Sequence, residues 1–272
     1  MAVLNVFLPA LAFNLMSTSK ADRSFVSIPL TAAVVVLLCT VVGFAVYSLI
    51  PRIRDISRPT FGVILLAASY GNVTYLGLPV ITEMLGPDQG YVAILYDLLA
   101  STPLLLTVGV FLASRYGSGR SATLGASLRR VFMLPPLWGV AVGIAARLGG
   151  IPVPQLVLDT TALMGKAVIP LMMFTVGLAL DFRELKRLPL AVPAIMIKLI
   201  LAPFLAWWVG ARLGVSGIAL KAITIEGAMP VMILALVIAD EFDLDVPFAA
   251  TCIAISTVAL FFTLPVMMSA LT

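Results

Sequence analysis

The sequence predicts an all-α polytopic membrane protein with about nine transmembrane helices, and three observations predict it. Hydrophobic residues make up 61% of the 272 and charged residues only 11%, with a mean hydropathy of +1.14, which leaves too little polar surface to face water on all sides. The apolar residues fall in runs of the ~20 that cross a bilayer. Two of these runs are interrupted by Gly, Asn and Pro at the depth where a broken helix costs most.

Taken in order, the runs are roughly 2–18, 25–50, 61–85, 90–114, 126–149, 157–181, 188–213, 218–240 and 247–271. The first lacks a basic start and a small-residue cleavage site, so it reads as a helix and not as a signal peptide. The third contains Ser69-Tyr-Gly71-Asn72-Val-Thr-Tyr-Leu-Gly77-Leu-Pro79, and the eighth contains Glu226-Gly227-Ala-Met229-Pro230. Linkers are brief, and the whole chain, 1–272, reads as one transmembrane domain.

Short matches recur in the same order along the chain. Pro9 and Phe13 in the first run correspond to Pro170 and Phe174 in the sixth, and Pro29 in the second to Pro193 in the seventh. Leu78-Pro79-Val80 in the third corresponds to Met229-Pro230-Val231 in the eighth, and Ser101-Thr102 in the fourth to Ser256-Thr257 in the ninth. The halves are about 1–114 and 157–272, with the helix at about 126–149 unpaired. Corresponding helices lie five crossings apart, so the copies run in opposite directions, which predicts an inverted repeat and a five-plus-five ancestor whose first helix is absent.

Charge sets the expected orientation. The second, fourth and sixth loops hold Arg52, Arg54, Arg58, Arg115, Arg120, Arg129, Arg130, Arg183, Lys186 and Arg187; the first, third, fifth and seventh hold Lys20, Arg23, Arg147, Arg212 and Lys221. Ten against five places the even loops and the N-terminus in the cytoplasm and the C-terminus outside. The two cysteines, Cys39 and Cys252, give no disulfide framework or metal spacing. The chain has no His, so an H-E-x-x-H zinc site is impossible, and no G-x-S-x-G elbow or paired Asp motif is present. Neither a cofactor, a metal, a nucleic-acid partner nor an enzymatic activity is expected.

Matching helix breaks point to a transport site at the bilayer midplane. A proline in a helix interior lacks the N–H and clashes with the preceding turn, at a cost of about 3 kcal/mol. If the breaks fall at Pro79 and Pro230 and cross, two half-helix N-termini with free N–H donors face one place. Such a place suits an anion, for instance a carboxylate. The expected substrate residues are Asn72, Gly77, Pro79, Gly227, Met229 and Pro230.

The run Asn72-Val-Thr-Tyr-Leu-Gly-Leu-Pro79 resembles the signature of the auxin efflux carrier superfamily, which includes PIN-type carriers and bacterial malate-permease-like proteins. Val6-Phe-Leu-Pro9, Ile169-Pro170-Leu-Met-Met-Phe174-Thr-Val-Gly177, Lys198-Leu-Ile-Leu-Ala-Pro203 and Met229-Pro230 extend the resemblance over nearly the whole chain. It implies ten helices in two inverted sets of five, crossed helices, organic-anion transport by an elevator-like motion, and a homodimer in a bacterial cell membrane. This chain departs by lacking the first helix.

Polar residues within the spans are expensive and mark function. Asn72 reads either as a substrate contact or as a cap on backbone groups freed by the break. Glu226, one turn before Pro230, reads as a proton carrier or as a structural hydrogen-bonding group. Lys198 either attracts the anion or pairs with Glu226 or Asp97, and pairing is expected; Asp97 lies nearer a helix end. These three are the expected coupling residues. Asp159 and Glu83 read as solvated, and Lys166 reads either like Lys198 or as reaching toward the interface. A sodium- or proton-coupled symporter of the bile-acid symporter or antiporter type is the alternative, although Ser69, Asn72, Thr74, Thr224 and Glu226 make a thin sodium cage.

Overall fold

The computed structural model of the protein describes residues 2–19, 23–49, 56–118, 123–182 and 184–271. Lys20, Arg52, Arg54, Arg120 and Arg183, which enter the charge count above, lie outside the described residues.

The described residues form helices and no strand. In chain order they are α1 (Val3–Thr18), α2 (Ser24–Leu49), α3 (Arg58–Ser69), α4 (Val73–Leu85), α5 (Pro87–Tyr116) and α6 (Leu124–Phe132). There follow α7 (Pro135–Leu148), α8 (Gln155–Leu178) and α9 (Leu185–Arg212). The last three are α10 (Gly217–Gly227), α11 (Leu234–Glu241) and α12 (Val246–Leu271). Among the described residues, five helices are long and apolar enough to cross a membrane, namely α2, α5, α8, α9 and α12. They become six if α6 and α7, bent by 59° at their junction, count as one. The expectation of nine spans is therefore met only in part. The run at 2–18 makes a shorter apolar helix, and the runs at 61–85 and 218–240 are each divided in two.

The divisions have local causes. After Ser69 the backbone extends at Tyr70 (φ −104°, ψ 121°), turns at Asn72 (φ −80°, ψ 60°), and re-enters a helix at Val73. The second division runs from Ala228 to Ile233 and contains Pro230. The breaks cross and pair with each other: Gly71 bridges Val231 in antiparallel fashion, Asn72 N–H donates to the Pro230 carbonyl at 2.7 Å, and Met232 N–H donates to the Tyr70 carbonyl at 3.0 Å. Freed backbone groups at membrane depth thus find partners in the other break, which is the condition for non-helical backbone there.

Pro79 does not interrupt its helix. It lies inside α4, beyond the wide π-helical turn Val73–Gly77, so the predicted break at Pro79 moves back to Tyr70–Asn72. The wide turn ahead of Pro79 accommodates its ring, so the missing N–H removes one bond without ending the helix.

Two groups of helices surround the crossing. In one, α1 lies along α7 and α8. There, Gly143 of α7 sits so close that an added Cβ would come within 2.7 Å of Met16 Cβ. In the other, α2 to α5 and α9 to α12 enclose the breaks, with Val35, Ile64, Leu66, Val231 and Phe248 in one shared core.

Candidate functional site

Among the described residues, the buried ionisable acids and lysine gather around the crossing. Asp97 is 2% exposed, Lys198 2% and Glu226 0%, and each stands near the middle of its helix or next to a break. Asp97 does not lie near a helix end, as expected, because α5 starts at Pro87 and runs to Tyr116. Asp97 and Lys198 fall within wide π-helical turns, Asp97–Ser101 and Ile197–Leu201. Turns of this kind concentrate at functional sites.

Asp97 is held by two threonines. Thr74 Oγ1, on the second residue of α4, donates to one carboxylate oxygen, and Thr102 Oγ1 donates to the other at 2.8 Å. Thr102 follows Asp97 by five residues, a spacing that shares a face only through a π-helical turn. Sequence alone does not signal this partnership, because residues five apart share no face of an ordinary α-helix.

Lys198 does not pair as expected. Its ammonium donates to the Gly227 carbonyl at 2.6 Å. No ion pair within 4.0 Å joins it to Glu226 or Asp97 among the described residues. The reason is geometric: the end of α10 offers its unsatisfied carbonyl directly to the lysine. The lysine stem crosses Gly71, where a Cβ would lie 2.6 Å from Lys198 Cε. Gly71 therefore keeps the crossing open for the lysine.

Glu226 packs on Gly77, where an added Cβ would overlap the carboxyl group. Gly77 thus serves close approach of Glu226. Both Glu226 carboxyl oxygens and both polar side-chain atoms of Asn72 are buried without a hydrogen-bond partner. Asn72 therefore does not cap the break with its side chain; the backbone pairing does that. Met229 is fully buried, and Gly227 lets α10 approach α9, since a Cβ there would stand 2.9 Å from Pro203 Cα. Ser256 Oγ accepts from Val231 N–H at 3.0 Å and anchors the second break to α12. Lys166, Asp159 and Glu83 are exposed on their helices.

A small cavity of about 70 Å³ lies beside the crossing. Thr74, Asp97 and Thr102 border it, together with Leu234, the first residue of α11 after the second break. Its opposite wall is Leu4 and Leu8 of α1 and Leu134 and Pro136 at the start of α7. The cavity thus lies between the two helix groups and touches the beginnings of both half-helices.

Long apolar helices around two broken ones define an integral membrane protein with a polar crossing in its interior. A family described as membrane transport protein matches residues 2–268, and the chain belongs to it, within the auxin efflux carrier group that the Asn72–Pro79 run suggested. It is similar to an uncharacterized transporter of Methanothermobacter thermautotrophicus, 29% identical over 97% of this chain and 85% of the relative. It is also similar to an uncharacterized transporter of Methanocaldococcus jannaschii, 24% identical over 94% of this chain and 83% of the relative. The protein is a transporter.

Proposed function

We propose that the protein is a secondary carrier for a small organic anion such as a carboxylate, bound where the two breaks cross. The observation that carries this reading is the cavity bordered by Thr74 and Leu234, which brings the starts of α4 and α11 to one place. Each start presents partial positive charge and N–H donors suited to an anion. Asn72 offers unpartnered polar atoms at the start of α4, and Met229 and Pro230 belong to the second break, whose Pro230 carbonyl accepts from Asn72 N–H. Gly77 and Gly227 support the site by allowing close packing, and Pro79 stiffens the half-helix behind it.

The cavity lies between the group of α1, α7 and α8 and the group that carries the crossing. Sliding the second group against the first, as in an elevator, exposes the site first to one side of the membrane and then to the other. An inverted-repeat origin of the halves accounts for the two crossed breaks, and a homodimer would hold the first group fixed. The basic loops orient the N-terminus toward the cytoplasm.

Export of a monoanion from a negative interior is favoured by about 2.3 kcal/mol per 100 mV, whereas import needs a coupled cation. Asp97, Glu226 and Lys198, buried at the crossing, are the residues we assign to coupling. Uptake of radiolabelled carboxylates into proteoliposomes tests the reading. Flux of at least one carboxylate above that of protein-free vesicles is expected, and its absence across mono-, di- and tricarboxylates would sink it.

A further inference from the structure

The Asp97 carboxylate stands where the first half-helix begins. It accepts from the side chain of Thr74, the second residue of α4, and from Thr102 on its own helix. The chain has therefore set a carboxylate of its own at the N-terminal end that a substrate carboxylate would use. The same acid and both threonines border the cavity, and among the described residues no cationic side chain lines it. Two residues before Thr74, at the start of α4, Asn72 is 1% exposed and its side-chain amide has no partner. The cavity thus holds a built-in anion, and the half-helix start that this anion touches also carries an unpartnered amide.

Two carboxylates in so small an apolar enclosure repel strongly, because little water screens them. Resting on the organic-anion reading above, we propose that Asp97 is a built-in occupant of the anion site that yields it by taking up a proton, so that each substrate carboxylate enters with one proton. A hydronium ion of the solvent gives its proton to an Asp97 carboxylate oxygen and becomes water; one O–H bond breaks, one forms, and nothing else changes. The charge in the cavity is one negative before and after, since neutral Asp97 plus a monoanion replaces ionised Asp97. Thr74 Oγ1 then turns its hydrogen from Asp97 to the incoming carboxylate, and the carboxylic acid of Asp97 supplies a further donor.

The other ionisable groups facing Asp97 are Tyr75 on α4, Tyr96 on its own helix and Glu226 on α10. The Lys198 ammonium is engaged by the Gly227 carbonyl. Glu226 is the competing proton acceptor, so the test separates the two acids.

The experiment measures the affinity of the purified full chain for the monocarboxylates lactate and pyruvate by thermal stabilisation, from about pH 6 to about pH 8.5, where both probes stay singly ionised. Wild-type affinity is expected to fall about tenfold per pH unit above its midpoint, the slope of one linked proton. Asp97→Asn should bind equally across the range and more tightly than wild type at the alkaline end, while Glu226→Gln should keep the slope. A wild-type affinity independent of pH, a slope that persists in Asp97→Asn, or a slope abolished by Glu226→Gln overturns the proposal. If neither probe, nor any other carboxylate, stabilises the wild type or the variants at any pH, the anion reading itself falls. Should Asp97→Asn fail to fold, Thr74→Val replaces it. Losing a donor to the ionised acid should move the midpoint of wild-type-like binding to higher pH, and an unmoved midpoint overturns the proposal.

Discussion

The backbone N–H of Asn72 donates to the carbonyl of Pro230 across the two helix breaks, at 2.7 Å. This bond and its neighbour from Met232 to Tyr70 satisfy the groups that each break would leave bare in the membrane. The side chain of Asn72 is thereby left free of structural duty. Asn72→Leu should then lower carboxylate affinity by about fivefold to tenfold, the equivalent of one hydrogen bond of roughly 1 kcal/mol, while the melting temperature stays level or rises. Pro79→Ala, beyond the break, should change affinity less than about twofold. Equal loss of affinity in the two variants would place the site along α4 and away from the crossing.

The existence of both broken helices was legible, because Gly71, Asn72 and Pro230 have no other use in an apolar run. The position of the first break was not. Proline reports only a missing donor, and the wide turn at Val73–Gly77 accommodates it, whereas the true break at Tyr70–Asn72 is stabilised by pairing with residues some 160 positions away. Nothing local encodes such a partner. The same holds for Lys198, whose bond to the Gly227 carbonyl competes with the ion pair that charge alone suggested. The buried acid Asp97 was visible, but its threonine partners depend on a π-helical turn and a neighbouring half-helix.

Gly77 touches Glu226 so closely that a methyl group has no room, and the fully buried carboxyl has no solvent to retreat into. Gly77→Ala should destabilise the protein by about 1–3 kcal/mol, the usual range for overpacking. Adding Glu226→Ala should return most of that loss, since the double change removes the clash. Denaturant or thermal unfolding of the four proteins of this cycle measures it, and simple additivity would show that the contact is not the cause.

Outside the spans, Asp245 precedes α12 and accepts from Arg187 at 2.5 Å, from Thr60 at 2.6 Å and from Phe248 N–H at 3.2 Å. Partial burial pushes its carboxyl up, but the Arg187 and Thr60 hydrogen bonds, with the Arg187 charge, hold it below the usual carboxylate range. A lowered folded value means stability that is present above the unfolded carboxylate range, near pH 4, and lost as the pH falls through the folded value. Because the group is partly exposed, the contribution is at most about 1 kcal/mol. Melting temperatures of wild type and Asp245→Asn should therefore differ by a few degrees at neutral pH and converge under strongly acidic conditions. A difference that persists at the acid end would assign the effect to packing.

Arg130 on α6 makes a two-pronged ion pair with Glu241, the last residue of α11, with N···O distances of 2.8 and 2.5 Å. α6 leads directly into α7, which packs along α1, whereas α11 follows the second break. The pair thus links α6, the bent connection from α5 into α7, to the half-helix after the second break. An elevator-like motion has to rearrange this connection in every cycle, while a rigid carrier with small gates does not. A short thiol-reactive crosslinker between Arg130→Cys and Glu241→Cys should then abolish carboxylate flux in proteoliposomes and leave substrate-induced thermal stabilisation in place. Cys39 and Cys252 are buried and offer little competing reaction. Each single variant treated with the same reagent should keep its flux, because an exposed ion pair of this kind contributes only about 0–1 kcal/mol. Undiminished flux through the crosslinked protein would rule out relative motion at this connection.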